Sequence, residues 1–118
     1  MRTGTLTRGG EVLVPRLLIA TGIWSRMRGL LGRPGLPDDT AMFLSPCNSI
    51  HTVGMRFSLD VIFLDHDQRV VRIVRAVRPN RFAFGGRGAS SAIEFEAGAV
   101  DLSGVDVGSC LDVSLEEG

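Results

Sequence analysis

The chain has 118 residues, 44% of them apolar and 22% charged, and its 13 arginines balance 13 acidic residues to a formal net charge of zero. That composition excludes disordered and fibrous classes and sets one domain over residues 1–118 as the expectation. It also lacks the overall basic balance of a nucleic-acid binder, so no nucleic-acid partner is expected. No apolar run reaches the roughly 18 residues of a membrane span and no signal-peptide pattern opens the chain. The expectation is a cytoplasmic protein with no membrane segment and with Cys47 and Cys110 as reduced thiols.

Residues 2–7 and 11–19 read as two strands separated by the breaker Gly9-Gly10. In the second, Val12, Leu13, Val14, Leu17, Leu18 and Ile19 occupy both alternating faces, which predicts burial on both sides. Pro15 cannot donate a ladder hydrogen bond, so this strand should lie at an edge or carry a bulge. Thr21 is the expected N-cap of a helix running to about Leu31, with Ile23, Met27, Leu30 and Leu31 at helical spacing. Gly32 and Pro34 stop it, and residues 32–41 form a loop.

Met42-Phe43-Leu44 is a short strand ending at Ser45-Pro46, and Leu59–Asp65 is apolar on both faces, as a central strand should be. Val70–Val77 returns as a strand with arginines at 69, 72, 75 and 78. That period of three fits neither face of a strand, so some of these side chains must reach out from a half-buried edge. Residues 79–90 read as a loop with two aromatics. Ile93, Phe95 and Ala97 alternate with Glu94 and Glu96 as a half-buried strand. Residues 98–104 suggest one helical turn carrying Val100 and Leu102, and Leu111, Val113 and Leu115 mark a final strand. Together these elements predict an α+β, β-rich fold: a small, partly closed β-barrel-like domain with one N-terminal helix and one short C-terminal helical turn.

Chemistry concentrates just upstream of the apolar strand, where Cys47, Asn48, Ser49, His51, Thr52 and Arg56 lead to Asp60. Cys47 and His51 have a C-x3-H spacing. The other candidate ligands, His66 and Cys110, are too scattered to close a tetrahedral zinc site, so neither metal nor cofactor is expected. A Cys–His nucleophile pair is one reading, set against a buried structural thiol. A carboxylate between Leu59 and Val61 needs a partner to offset its desolvation. Asp60 is therefore either a buried ion-pair member fixing helix against sheet or the wall of a polar pocket shared with His51. Arg26, Arg28 and Arg33, with Arg56, form a cluster suited to clamping an anion. Gly85-Gly86-Arg87-Gly88 follows no clear strand and precedes no long helix, so it does not make a phosphate-binding loop.

Three segments carry a resemblance. Trp24-Ser25-Arg26-Met27-Arg28-Gly29-Leu30-Leu31-Gly32-Arg33, Ala41–Leu44 with Ser49–Thr52 and Asp60–Asp65, and Glu94-Phe95-Glu96-Ala97-Gly98 with Val107-Gly108-Ser109 are together similar to the domain-of-unknown-function 192 family of small bacterial and archaeal proteins. Where many members carry F-W-M-K-N-T, this chain has Ile50-His51-Thr52-Val53-Gly54-Met55 and resembles a C-x-S-I-H-T subgroup. The resemblance implies a β-rich fold with a short helix and implies no activity. The residues themselves favour a domain, monomeric or weakly dimeric, that binds a small molecule or protein partner around His51 and Asp60. The alternatives are a hydrolase or transferase using His51 with Cys47 or Asp60, and a scaffold docking through the arginine-bearing strand edge at Arg72, Arg75 and Arg78.

Overall fold

The structure is a computed structural model and describes residues 2–20 and 34–116. Among the described residues nine strands run in chain order: β1 (Arg2–Arg8), β2 (Glu11–Ala20), β3 (Thr40–Leu44), β4 (Ser49–His51), β5 (Leu59–Leu64), β6 (Val70–Val77), β7 (Phe82–Phe84), β8 (Ser91–Glu96) and β9 (Asp112–Leu115). Seven of them form one sheet in the order β6-β5-β8-β3-β2-β1-β9, and β4 pairs with β7 in a separate two-stranded ribbon. All pairings are antiparallel except β2 with β3.

Apolar side chains cover both faces of the large sheet. Met42, Leu59, Val61, Phe63 and Ala92 join Ile50 and Ala83 of the ribbon in one buried cluster. On the opposite face Leu17, Ile62, Ile93 and Phe95 meet Val100, Leu102, Val105 and Leu111. Burying one such side chain contributes about 1.5–3 kcal/mol, so β5, apolar on both faces apart from Asp60, and the Ile93 and Phe95 face of β8 anchor the fold. The ribbon lies over the first face. Gly85, at the end of β7, meets the sheet there, since a Cβ at that position would come within 2.7 Å of the Phe63 ring.

Several expectations are corrected. The described residues are all β. The helical turn expected over 98–104 is replaced by tight turns in which Gly98 and Gly104 take positive φ and Asp101 Oδ1 accepts the Ser103 amide. Left-handed backbone at these positions stops an α-helical turn from forming. The helix expected over Thr21–Leu31 lies outside the described residues. Among the described residues no barrel closes: the edge strands β6 and β9 are not paired, and only Arg69 and Cys110, just before them, form an isolated bridge. The four-residue, largely exposed β9 is too short to zip along β6. Nor is β8 half-buried. It pairs with β3 on one side and β5 on the other, and Ser91 to Phe95 are all buried. The loop expected over 79–90 contains β7.

The irregular sequence signals also find their cause. Gly4 pairs Leu17 and Leu6 pairs Val14, so Thr5 alone faces Pro15 and Arg16, and the proline sits at a bulge within an interior strand. In β6 the pairing shifts twice, between Leu59/Val61 and between Phe63/Leu64. Each extra residue resets the alternation, which lets Arg69, Arg72, Arg75 and Arg78 all reach solvent despite their spacing of three.

Candidate functional site

The ribbon presents two unlike faces. Ile50 and its cross-strand partner Ala83 point into the core, while Ser49, His51, Phe82 and Phe84 point outward. Ser49 lies opposite Phe84 and His51 opposite Phe82. The His51 and Phe82 rings are tilted by 54° with centroids 6.2 Å apart. Phe82 is 65% and Phe84 60% exposed. Alternation of side chains along a strand places both phenylalanines on one side, in a row.

Thr52 holds this ribbon to the loop that leads from β6 into β7. It is fully buried; its hydroxyl donates to the Arg78 carbonyl at 2.5 Å and accepts the Arg81 amide at 2.9 Å. Its backbone donates to the Arg81 carbonyl and accepts from Asn80 and Met55. One threonine thus satisfies the polar backbone of a loop that would otherwise bury unpaired groups.

Asp60 is not brought to His51. Its Oδ1 accepts the Ala76 amide at 2.8 Å and its Oδ2 the Gly98 amide at 2.9 Å. Both donors are in left-handed conformation, and Ala76 lies in the β6 bulge opposite Asp60. The carboxylate therefore receives two amides that the sheet ladder leaves over. Cys47 is buried in the core beneath the ribbon, and its thiol donates to the Ser49 carbonyl at 3.1 Å. Cys47 and Cys110 form no disulfide. The Cys47 sulfur and the His51 imidazole thus belong to different layers, one in the core and one on the surface. Asn48, Ser49 and Arg56 are exposed, whereas Arg26, Arg28 and Arg33 lie outside the described residues.

A groove of about 410 Å³ borders the ribbon, lined by Pro46, Cys47, Asn48, Ser49, His66, Ala89 and Ser90. Ser49 belongs both to this groove and to the outer face carrying His51 and Phe84. Among the described residues no cluster of three or more His, Cys, Asp or Glu side chains is arranged to hold a metal ion.

Three features escaped the sequence reading. Glu94 lies on β8 between Met42 of β3 and Val61 of β5, only 7% exposed and without a hydrogen bond to any described residue. Burial pushes its carboxyl up from 4.5 to about 7. Its alternation with Phe95 imitates a solvated face, and only the position of β8 between two strands reveals the burial. The second feature is the exposed pair Phe82 and Phe84, which looked like loop residues. The third is the extent of the arginine run: beyond the strand-edge arginines read from the sequence, Gln68 to Ile93 adds Arg81 and Arg87 and contains no Asp or Glu, and all six arginines are exposed.

Fold and surface together define a class: a β domain of one seven-stranded sheet with a two-stranded aromatic ribbon laid over it, beside an arginine-rich edge. The chain belongs to the DUF192 family, described as Uncharacterized ACR, COG1430, whose model matches residues 4–113. It is similar to a UPF0127 protein of Thermococcus sibiricus, 36% identical over 113 residues covering 92% of this chain and 72% of that one. A UPF0127 protein of Pyrococcus furiosus is 30% identical over 112 residues, 91% of this chain and 93% of its own. Two solved structures share the fold. A protein of unknown function from Novosphingobium aromaticivorans has TM-score 0.77 and 21% identity, covering 93% of this chain and 83% of its own. A putative transcription regulator from Sinorhizobium meliloti has TM-score 0.76 and 20% identity, covering 95% and 92% respectively. Among the described residues no helix is long and apolar enough to cross a membrane.

Proposed function

We propose that the protein is a binding domain whose contact surface is the outer face of the β4–β7 ribbon and the groove beside it. The supporting observation is the split character of the ribbon: Ile50 and Ala83 are buried beneath it, yet Phe82 and Phe84 remain open to solvent beside His51. Exposed aromatic side chains gathered on one rigid element are a feature of interaction surfaces, and the core contacts under them fix their positions. Cys47 and Thr52 support this surface from below, and Asn48 and Ser49 supply hydrogen-bonding groups at its edge. The Cys47-Asn48-Ser49-Ile50-His51-Thr52 stretch, proposed as the mark of a subgroup, builds one strand of it. Asp60 has no part in the contact surface, since both its oxygens serve backbone amides.

The scaffold reading joins this one at a single point. Arg72 lies on the exposed edge of β6 and its Nη1 donates to the Phe84 carbonyl at 2.8 Å, which brings the arginine-rich edge to the aromatic face. The test is a fragment screen by amide chemical-shift mapping on wild type and on His51→Ala. Ligands should move the resonances of Ser49, His51, Phe82 and Phe84, and His51→Ala should weaken them. Hits that cluster elsewhere and bind the variant equally would sink the proposal.

A further inference from the structure

We propose that the aromatic ribbon and its flanking arginines bind single-stranded nucleic acid, bases stacking on Phe82 and Phe84 while Arg72, Arg81 and Arg87 hold the phosphates. This rests on the reading of the ribbon as the contact surface and names its partner.

Charge comes first. The zero net charge of the chain conceals a 26-residue stretch, Gln68 to Ile93, with six exposed arginines and no carboxylate until Glu94. Arg72, Arg81 and Arg87 form no ion pair with any described carboxylate, and among the described residues the guanidinium groups of Arg72 and Arg81 donate only to the carbonyls of Phe84 and Asn80. Their guanidinium forks retain further donors for an anion, and a planar fork matches phosphate geometry. A local basic stripe of this kind attracts a polyanion even in a neutral molecule.

The rings then choose among polyanions. Phe82 and Phe84 lie two residues apart on one face of β7, about 6.6–6.8 Å along the strand, with His51 beside Phe82. Arg81 immediately precedes this pair and Arg87 follows three residues after it, so exposed cations flank the row along the chain, and Arg72 reaches the Phe84 carbonyl from β6. Rings open to solvent over most of their surface offer flat faces rather than the walls of a pocket. The apolar side chains of an acidic peptide bind best in pockets. A nucleobase needs only a flat aromatic face, and stacking on such platforms is the recurrent mode of single-strand binding. A duplex keeps its bases stacked on one another and offers these rings no open base face.

The experiment uses the full chain and a fluorescein-labelled oligothymidylate or oligouridylate of about twenty nucleotides, read by anisotropy at about 50 mM salt. The expected result is saturable binding, weaker for a duplex of equal length. Phe82→Ala and Phe84→Ala should each weaken single-strand binding about tenfold. Arg72→Ala and Arg81→Ala should each lower the slope of log affinity against log salt by about one. All four positions are exposed, so circular dichroism should show the same β fold for each variant. Absence of saturable binding, or equal binding by both phenylalanine variants, overturns the proposal. So does a labelled oligoglutamate that binds more tightly than the oligonucleotides, which would assign the surface to an acidic protein. If fragments map to the ribbon while no oligonucleotide binds, only the nucleic-acid assignment falls; if oligonucleotides bind and amide shifts place them away from the ribbon, both readings fall.

Discussion

Asp60 accepts the backbone amide of Ala76 at 2.8 Å, from the point where β6 carries its extra residue. A bulge removes one amide from the ladder and bends the strand, and Ala76 bears the added cost of positive φ. The carboxylate offsets both by taking that amide and, through its second oxygen, the amide of Gly98. It thereby ties the end of β6 to the turn after β8.

Replacing Asp60 by Ala should therefore destabilise the fold by about 2–4 kcal/mol, because two amides lose a charged acceptor in a buried setting. Asp60→Asn should cost less than Ala but more than a surface change, since its amide nitrogen would face a donor. Urea denaturation of the three proteins measures this. A change below about 0.5 kcal/mol for the alanine variant would show that the two bonds do not support the fold.

Thr52 permits a cleaner test, because methyl and hydroxyl can be separated. Thr52→Val keeps the volume and removes the bonds to Arg78 and Arg81, and should cost about 1–3 kcal/mol. Thr52→Ser keeps the hydroxyl and should cost less than Val. Hydrogen exchange at the Arg81 amide should quicken in the valine variant and remain slow in the serine variant. Equal exchange in both would detach the hydroxyl from the loop.

Glu94 predicts a pH dependence of stability. Burial raises its folded carboxyl from the ordinary 4.5 to about 7, so between these values the folded state binds more protons than the unfolded state. Unfolding free energy then falls as pH rises through that window. The penalty is absent below pH 4.5, where both states are protonated, and complete above about 7. Its size is on the order of 3 kcal/mol. Glu94→Gln removes the titrating group and should flatten this part of the curve, as followed by chemical denaturation from acid to neutral pH. If the variant keeps the wild-type slope, another group carries it.

Much of the strand framework is legible in the sequence, because a strand buried on both faces must be apolar at successive positions. Leu59–Leu64 declares itself in this way, and Pro15 announces its bulge because it has no amide to donate. The arginine period in β6 was legible as an anomaly; the paired bulges that explain it were not. Glu94 misled because alternation with Phe95 is the pattern of a half-solvated strand, and pattern alone carries no information about a strand's neighbours. The polar side chains divide similarly. Their concentration from Asn48 to Thr52 was legible, but the partner of Asp60 and the exposure of Phe82 and Phe84 were not.

What the sequence determined by itself was local: alternation, breakers, composition and the family motifs, each set by a few residues acting through their own backbone preferences and hydrophobicity. Tertiary structure alone decided which strands lie side by side, and with that which polar groups are buried and which rings stay open. Asp60 and Ala76 are 16 residues apart and meet because β5 pairs with β6. His51 and Phe82 meet because the ribbon brings β4 to β7. Burial and contact depend on what is packed against a residue, and long-range pairing supplies that neighbour.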